Sequence, residues 1–231
     1  MNRPIFLRLI VLLVVALLAQ GCVGFGAYSF ASIEARVVDE ETGQPIEGAI
    51  VVANWQLEEA TFHLTIKRDS LEIQETVTDR DGRFKLAGFT KVNATPYFLK
   101  SRAPQIIIFK PNYRFYYYSA AYPMGEKAAG MSGIPQPDIS GSTVKLKSFG
   151  SNREDYEDRF IGVGVDLDFA YSITGGATDK CAWTKAPMII AAMEKERRNL
   201  VGARQLSLPA IDRLLSRDCP NVPAALKELG K

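Results

Sequence analysis

His63, the only histidine of this 231-residue chain, is the first side chain whose chemistry needs an explanation. An imidazole can serve as a general base or as a metal ligand. His63 stands inside ATFHLTI, a segment typical of a strand, and no second histidine is present to help form a metal shell. A Ser-His-Asp triad would need the same imidazole. We therefore expect a packed or surface histidine, and the sequence indicates no catalytic residue, cofactor or metal.

The acidic residues raise two further possibilities, calcium binding and glycoside hydrolysis. Asp79-Arg80-Asp81-Gly82 begins like a calcium loop, but Thr90 stands where the closing glutamate should be, so the segment predicts a hairpin turn. A glycosidase needs two carboxylates facing each other across a cleft. The candidates for such a pair are Glu34, Glu40, Glu41, Asp166 and Asp168. Nothing in the sequence places two of these acids across a cleft.

The N-terminal segment has the three parts of a secretory signal. Arg3 and Arg8 precede an apolar core at residues 9–19, and small residues follow. The core is shorter than the roughly 20 residues that a membrane-spanning helix needs. A signal peptide at residues 1–21 is therefore predicted, with an uncleaved membrane anchor or ordinary secretion as the alternatives.

The end of this segment, Leu18-Ala19-Gln20-Gly21-Cys22, resembles the bacterial lipobox. The resemblance implies that the thiol of Cys22 takes a diacylglycerol and that a peptidase cuts after Gly21. Because Val23 follows instead of aspartate, the same resemblance implies sorting to the outer membrane. Membrane attachment through lipid on Cys22 is thus expected, with residues 22–32 as a short flexible tether.

Cys181 and Cys219 are the two cysteines left once Cys22 is assigned to lipid. An even pair in an oxidising compartment favours a disulfide. A metal site is the alternative, but two thiols with His63 far away in sequence make a poor zinc shell. We predict a Cys181–Cys219 disulfide.

Charge argues against a nucleic-acid partner. Removal of residues 1–21 would take Arg3 and Arg8 away and lower Lys+Arg from 28 to 26, against 26 Asp+Glu. A net charge near zero is poor material for binding phosphates, which needs a clustered basic surface.

The aromatic run Phe115–Tyr118 is the most unusual cluster. In a strand, Phe115 and Tyr117 face one side, and Tyr116 and Tyr118 face the other. Since Phe115 has no hydroxyl that needs a partner, we expect Phe115 and Tyr117 inside. Tyr116 and Tyr118 then become the candidate binding surface, stacking on sugars or on a partner protein. The alternative is that they pack under residues 123–141 or under C-terminal helices.

The elements that would position these residues are strands first and helices later. Residues 33–148 contain seven or more short strands separated by turn residues, which predicts an antiparallel β-sandwich. Residues 149–231 have a helical pattern. One helix is predicted to open at Thr184-Lys-Ala-Pro187, with Ile189, Met193 and Leu200 on one stripe.

Two segments carry a family resemblance. IEARVVDEETGQPIEGAIVVANW and ETVTDRDGRFKLAGF resemble the two halves of the carboxypeptidase regulatory-like domain, and QIIIFKPNY resembles its late strand, with Asn112 where glycine is common. The resemblance covers residues 33–148 and implies a transthyretin-like sandwich. Asn112 still permits the turn, because asparagine tolerates positive φ. The catalytic zinc domain found beside this module in carboxypeptidases is not seen in the sequence.

Together these features predict a lipid-anchored protein of the bacterial cell envelope. Its mainly β domain would bind or scaffold a protein or glycan partner and would not catalyse a reaction. The alternatives are an envelope hydrolase with an unrecognised site in residues 149–231, and a structural subunit of an outer-membrane assembly complex.

Overall fold

The computed structural model of the chain describes residues 26–60, 65–118, 139–150, 156 and 182–200, and this part of the protein is mainly β. Its strands, in chain order, are β1 Gly26–Phe30, β2 Ile33–Asp39, β3 Ile50–Ala60, β4 Thr65–Val77, β5 Arg83–Leu86, β6 Phe89–Asn93, β7 Phe98–Leu99, β8 Gln105–Phe109, β9 Tyr116–Tyr118 and β10 Thr143–Leu146. One α-helix, α1 Pro187–Leu200, follows a short 3₁₀ turn at Ala182–Lys185.

The largest sheet has five strands. Its order is β4-β3-β8-β9, with the short β7 also paired to β3, and every pairing is antiparallel. β4 runs without a break over 13 residues. The pairing of β3 with β4 shifts register between Trp55 and Gln56 and again between Leu57 and Glu58.

A second sheet has three strands in the order β10-β2-β5. β5 is antiparallel to β2, but β10 runs parallel to it, with Val144 beside Val37. The predicted antiparallel pairing therefore holds for β2 with β5 but not for β2 with β10. A parallel neighbour needs a long crossover, and the many residues between β2 and β10 provide one.

Side chains from both of these sheets contribute to the same hydrophobic core. β2 shows the expected alternation, with Ile33, Ala35 and Val37 buried and Glu34 exposed. Other strands contribute in the same way; the fully buried members of this core include Ala49, Val51, Ala53, Trp55, Ile106, Ile108 and Leu146. In β2 the hydrophobic pattern thus predicts which face of the strand is covered.

The predicted turns are confirmed. The N–H groups of Asp81 and Arg83 donate to Asp79 Oδ1 at 2.9 and 2.8 Å, and Gly82 has a φ of 72°. Asn112 has a φ of 65°, the left-handed conformation that its turn was expected to require. Asparagine accepts this conformation more readily than most side chains do.

Residues 26–30 depart from the predicted flexible tether, because they form β1 and pair antiparallel with β6. The ring of Phe30 lies 4.8 Å from that of Phe89 and 5.5 Å from that of Trp55, between centroids. The two-stranded β1–β6 sheet is therefore packed on the core through aromatic contacts. Strand formation leaves only residues 23–25 between Cys22 and β1.

Helix α1 begins at Pro187 as predicted, and Ile189, Met193 and Leu200 are buried. Val52, Ile107 and Phe109, which face away from the core on the large sheet, are buried too, and α1 contacts β3. In the described residues, no helix has the length and apolar character needed to cross a membrane.

Candidate functional site

The register between β8 and β9 decides which tyrosines face outward. Ile106 lies opposite Tyr118 and Ile108 lies opposite Tyr116, and both isoleucines belong to the core. Tyr118 is only 5% exposed, and Tyr116 packs against the same core. The prediction that Tyr116 and Tyr118 face outward is therefore wrong. Pairing with an already buried strand sets the face, and a terminal hydroxyl does not keep a tyrosine out of a core.

Tyr117 lies on the opposite face of the sheet, beside Ile107. Its hydroxyl accepts a hydrogen bond from Gln105 Nε2 at 2.7 Å. Gln105 Oε1 in turn accepts a hydrogen bond from Gln56 Nε2. We call Gln56, Gln105 and Tyr117 the amide–phenol cluster. Gln56 and Tyr117 are half-buried, so the cluster reaches solvent at two of its members, whereas Gln105 is buried.

Asn54 extends this polar row inward. It lies opposite Gln105 in the pairing of β3 with β8, so both side chains point to the same face. Asn54 is fully buried, and neither Oδ1 nor Nδ2 has a hydrogen-bond partner in the part of the chain that the structure describes. An unsatisfied buried amide costs about 1–3 kcal/mol. This face of the sheet therefore carries polar groups that packing alone does not explain.

The amide–phenol cluster was missed by the sequence analysis, although a signal was present. Asn54 and Gln56 are two residues apart in the otherwise apolar VVANWQL, and Gln105 opens QIIIF. Polar residues at i and i+2 of a strand share a face. A polar pair on one face of a buried strand could have directed attention to that face.

The amide–phenol cluster can recognise a ligand through hydrogen bonds from uncharged side chains. Carboxamides donate and accept hydrogen bonds, and a phenol does both from the rim of a flat apolar ring. Such groups match hydroxyl and amide groups of a ligand. The cluster contains no carboxylate, thiol or imidazole that could act as a nucleophile or as a general base at neutral pH.

Asp39 and Asp79 each stabilise a turn, because one carboxylate oxygen accepts hydrogen bonds from backbone N–H groups nearby in sequence. Asp79 Oδ1 is used by its own turn, as the hairpin interpretation predicted. The Thr42 backbone N–H, above all, lowers the pKa of Asp39, assisted by the hydroxyls of Thr42 and Tyr113. Among the described residues, no three His, Cys, Asp or Glu side chains group as metal ligands do. Cys22, His63, Asp166, Asp168, Cys181 and Cys219 lie outside the described residues.

Comparisons with known proteins add little. No family model matches the chain, and no curated protein matches it. Among solved structures, the chain is similar to a 9R-lipoxygenase from Cyanothece PCC8801, with 12% identity and a TM-score of 0.24. The similarity covers 78% of this chain and 30% of the lipoxygenase chain. So low a TM-score carries no argument about fold or activity.

Proposed function

We propose that this chain is an acylated lipoprotein of the bacterial cell envelope, attached to the outer membrane through Cys22. Its β-rich domain is a transthyretin-like sandwich of the carboxypeptidase regulatory-like type, and it binds a protein or glycan partner without catalysing a reaction. The amide–phenol cluster is the observation on which the binding proposal rests, and it favours a glycan.

Support for a sandwich comes from the single hydrophobic core to which the five-stranded and three-stranded sheets both contribute. Turn residues within the segments that carry the family resemblance have positive φ. Gly43, Gly48 and Gly82 have φ values of 68°, 72° and 72°, and Asn112 has a φ of 65°. Only glycine and a few polar residues adopt such angles readily.

Support for a glycan comes from the groups that the cluster presents. Gln56 and Tyr117 offer a carboxamide and a phenol at half-buried positions, and Gln105 holds both by hydrogen bonds. Binding sites for small polar ligands combine an apolar or aromatic surface with a few well-placed polar groups. The N-acetylated sugars of bacterial envelopes carry hydroxyl and amide groups that complement these side chains.

The binding proposal is tested by changing one hydroxyl. Tyr117→Phe keeps the ring and removes the group that accepts from Gln105, and Tyr116→Phe makes the same change on the core face of the same strand. Binding of soluble peptidoglycan fragments, followed by calorimetry, should weaken about fivefold for Tyr117→Phe, the worth of one hydrogen bond of about 1 kcal/mol. Tyr116→Phe should bind like the unmodified protein.

Equal affinity of Tyr117→Phe and the unmodified protein would contradict this location for the site. The fragments could fail to bind at all, while the unmodified protein captures a purified envelope protein and the Tyr117→Phe variant does not. In that case the partner is a protein instead of a glycan. Capture that is insensitive to Tyr117→Phe would remove the amide–phenol cluster from the proposal.

The lipid anchor is tested separately. Cells supplied with radiolabelled palmitate should label this chain, and mass spectrometry should show a mature N-terminus at an acylated Cys22. Cys22→Ser should abolish both results. An intact Met1 terminus, or labelling that survives Cys22→Ser, would contradict the lipoprotein proposal.

A further inference from the structure

The first strand of the domain begins very close to the proposed lipid. β1 starts at Gly26, four residues after Cys22. A fully extended chain spans at most about 3.6 Å per residue, so Gly26 lies within about 14 Å of the acylated residue. The inference below rests on the proposed acylation of Cys22, because that modification would hold this end of β1 at the bilayer surface.

The segment beside this end of β1 is a compact loop. Gly26 pairs with Asn93 and Ala27 with Val92. Asn93 Nδ2 donates to the carbonyl of Tyr97 at 2.6 Å, and the N–H of Thr95 donates to Asn93 Oδ1 at 3.1 Å. These bonds close residues 93–97 and place Val92 and Phe98 on either side of the closed loop.

Val92 and Phe98 are exposed although both are apolar. Their exposed fractions are 68% and 36%. One other large hydrophobic residue is exposed in the part of the chain that the structure describes, namely Val77 at 39%. Val77 pairs with Ile50 at the start of β3, whereas Phe98 pairs with Glu58 near its end. Ile50 and Glu58 are eight residue steps apart along β3, a distance of about 26 Å.

We infer that the edge formed by Val92, the loop 93–97 and Phe98, which we call the anchor-side edge, rests on the lipid headgroups in the acylated protein. The short connection to Cys22 brings this edge to the membrane. There the apolar side chains of Val92 and Phe98 can be buried among the lipids. The headgroup layer on each side of a bilayer is about 5–7 Å thick, well within the reach of a four-residue connection.

Apolar contact rather than charge is the expected basis of this interaction. Two lysines near the edge are already paired: Lys91 lies 2.5 Å from Glu72, and Lys100 lies 2.7 Å from Glu58. Paired charges attract anionic lipids weakly, and contacts made by exposed charges fall off with added salt. The orientation of the domain on the membrane should therefore be insensitive to salt.

The inference is tested by adding a fluorescent ring at three positions. Val92→Trp and Phe98→Trp place an indole on the anchor-side edge, and Val77→Trp places one at the far end of β3 as the matched control. Each full-length variant, shown by mass spectrometry to be acylated, is reconstituted into vesicles of phosphatidylethanolamine and phosphatidylglycerol. The acyl chains of these lipids carry bromine near the headgroup. Emission of the unmodified protein is subtracted to remove Trp55 and Trp183.

Bromine should quench about half of the added emission at positions 92 and 98, with little effect at position 77, because quenching requires contact with the lipid. Equal quenching at all three positions, or none at 92 and 98 in acylated protein, would overturn the inference and leave the anchor standing. Loss of quenching at positions 92 and 98 in high salt would show that charge attracts this edge to the membrane, and would also overturn the inference. Protein that is not acylated overturns both proposals, and its mass reveals this before any fluorescence is measured.

A second measurement covers the case in which the Trp variants do not fold. Hydroxyl-radical footprinting of the unmodified acylated protein should show less oxidation of Phe98 on vesicles than in the Cys22→Ser protein free in solution. Oxidation of Val77 should not change. Equal oxidation of Phe98 in the two states would overturn the inference.

Discussion

The carboxylate of Glu75 accepts a hydrogen bond from the backbone N–H of Ile189 at 2.7 Å, across 114 residues of sequence. Its second oxygen accepts from the N–H of Met188 at 2.8 Å. The first N–H groups of a helix have no partner within the helix, and the positive end of the helix dipole favours an anion there. One side chain of β4 therefore caps α1 and joins the helix to the outer face of the large sheet.

The Glu75 cap predicts a dependence of stability on pH. Burial raises the pKa of Glu75 above its ordinary value of 4.5, although the N–H groups of Met188 and Ile189 oppose this shift. A raised pKa means that the folded state favours the protonated acid. The resulting contribution of Glu75 to the free energy of unfolding is therefore fully present below pH 4.5 and is lost as pH rises through the raised pKa. Glu75→Gln removes the titration. Urea unfolding should show the unmodified protein gaining stability relative to Glu75→Gln as the pH is lowered.

Other acids titrate in the same pH range, and the pKa of Asp39 is lowered, whereas that of Glu75 is raised. The quantity to follow is therefore the difference in unfolding free energy between the unmodified protein and Glu75→Gln. A difference that is constant with pH, or that grows as pH rises, would contradict the dominance of burial over the two hydrogen bonds.

Gly82 and Gly43 form a matched pair for the cost of a side chain in a turn. Both have positive φ, 72° and 68°. A Cβ on Gly82 would lie 2.3 Å from the carbonyl oxygen of Val37, whereas a Cβ on Gly43 would meet nothing within 4 Å. Gly43→Ala should lower the free energy of unfolding by about 1 kcal/mol through backbone strain alone, and Gly82→Ala by about 3 kcal/mol or more. Equal losses in chemical denaturation would mean that the backbone around Gly82 moves to make room.

Phe30 is predicted to hold the β1–β6 sheet on the core. Its ring contacts those of Trp55 and Phe89, so Phe30→Ala should cost about 2–3 kcal/mol of unfolding free energy. The variant should also be cut faster by proteases within residues 26–30, since the strand loses its aromatic contact. Ser29→Ala, on the exposed side of the same strand, is the control; it removes one exposed hydrogen bond from Thr90 Oγ1 and should change the unfolding free energy by no more than about 0.5 kcal/mol. A small effect of Phe30→Ala would show that the backbone pairing with β6 is sufficient.

The Cys181–Cys219 disulfide stays a prediction, because both cysteines lie outside the described residues. The two cysteines would close a loop of roughly 38 residues that contains α1, and such a bond stabilises a fold by about 4 kcal/mol in the chain-entropy model. Protein purified without reductant should give a peptide pair joined through Cys181 and Cys219. Alkylation of both thiols without prior reduction would contradict it.

Local features of the fold could be predicted from the sequence because short-range chemistry decides them. The alternation of Ile33, Ala35 and Val37 marks a half-buried strand wherever that strand is placed. The turn at Asp79–Gly82 closes through its own side chain and a glycine, and Asn112 is a residue type that accepts the positive φ of its turn. Pro187 begins a helix because its missing N–H costs nothing in the first turn.

Only the tertiary structure decided the relations between distant segments. Tyr116 and Tyr118 turn inward because β9 pairs with the buried β8, and no property of the tyrosines themselves specifies that register. β1 forms because β6 offers an edge and Trp55 offers an aromatic surface. The amide–phenol cluster exists because β3, β8 and β9 become neighbours. A strand carries two faces in its sequence, and the partner to which it pairs determines which one is buried.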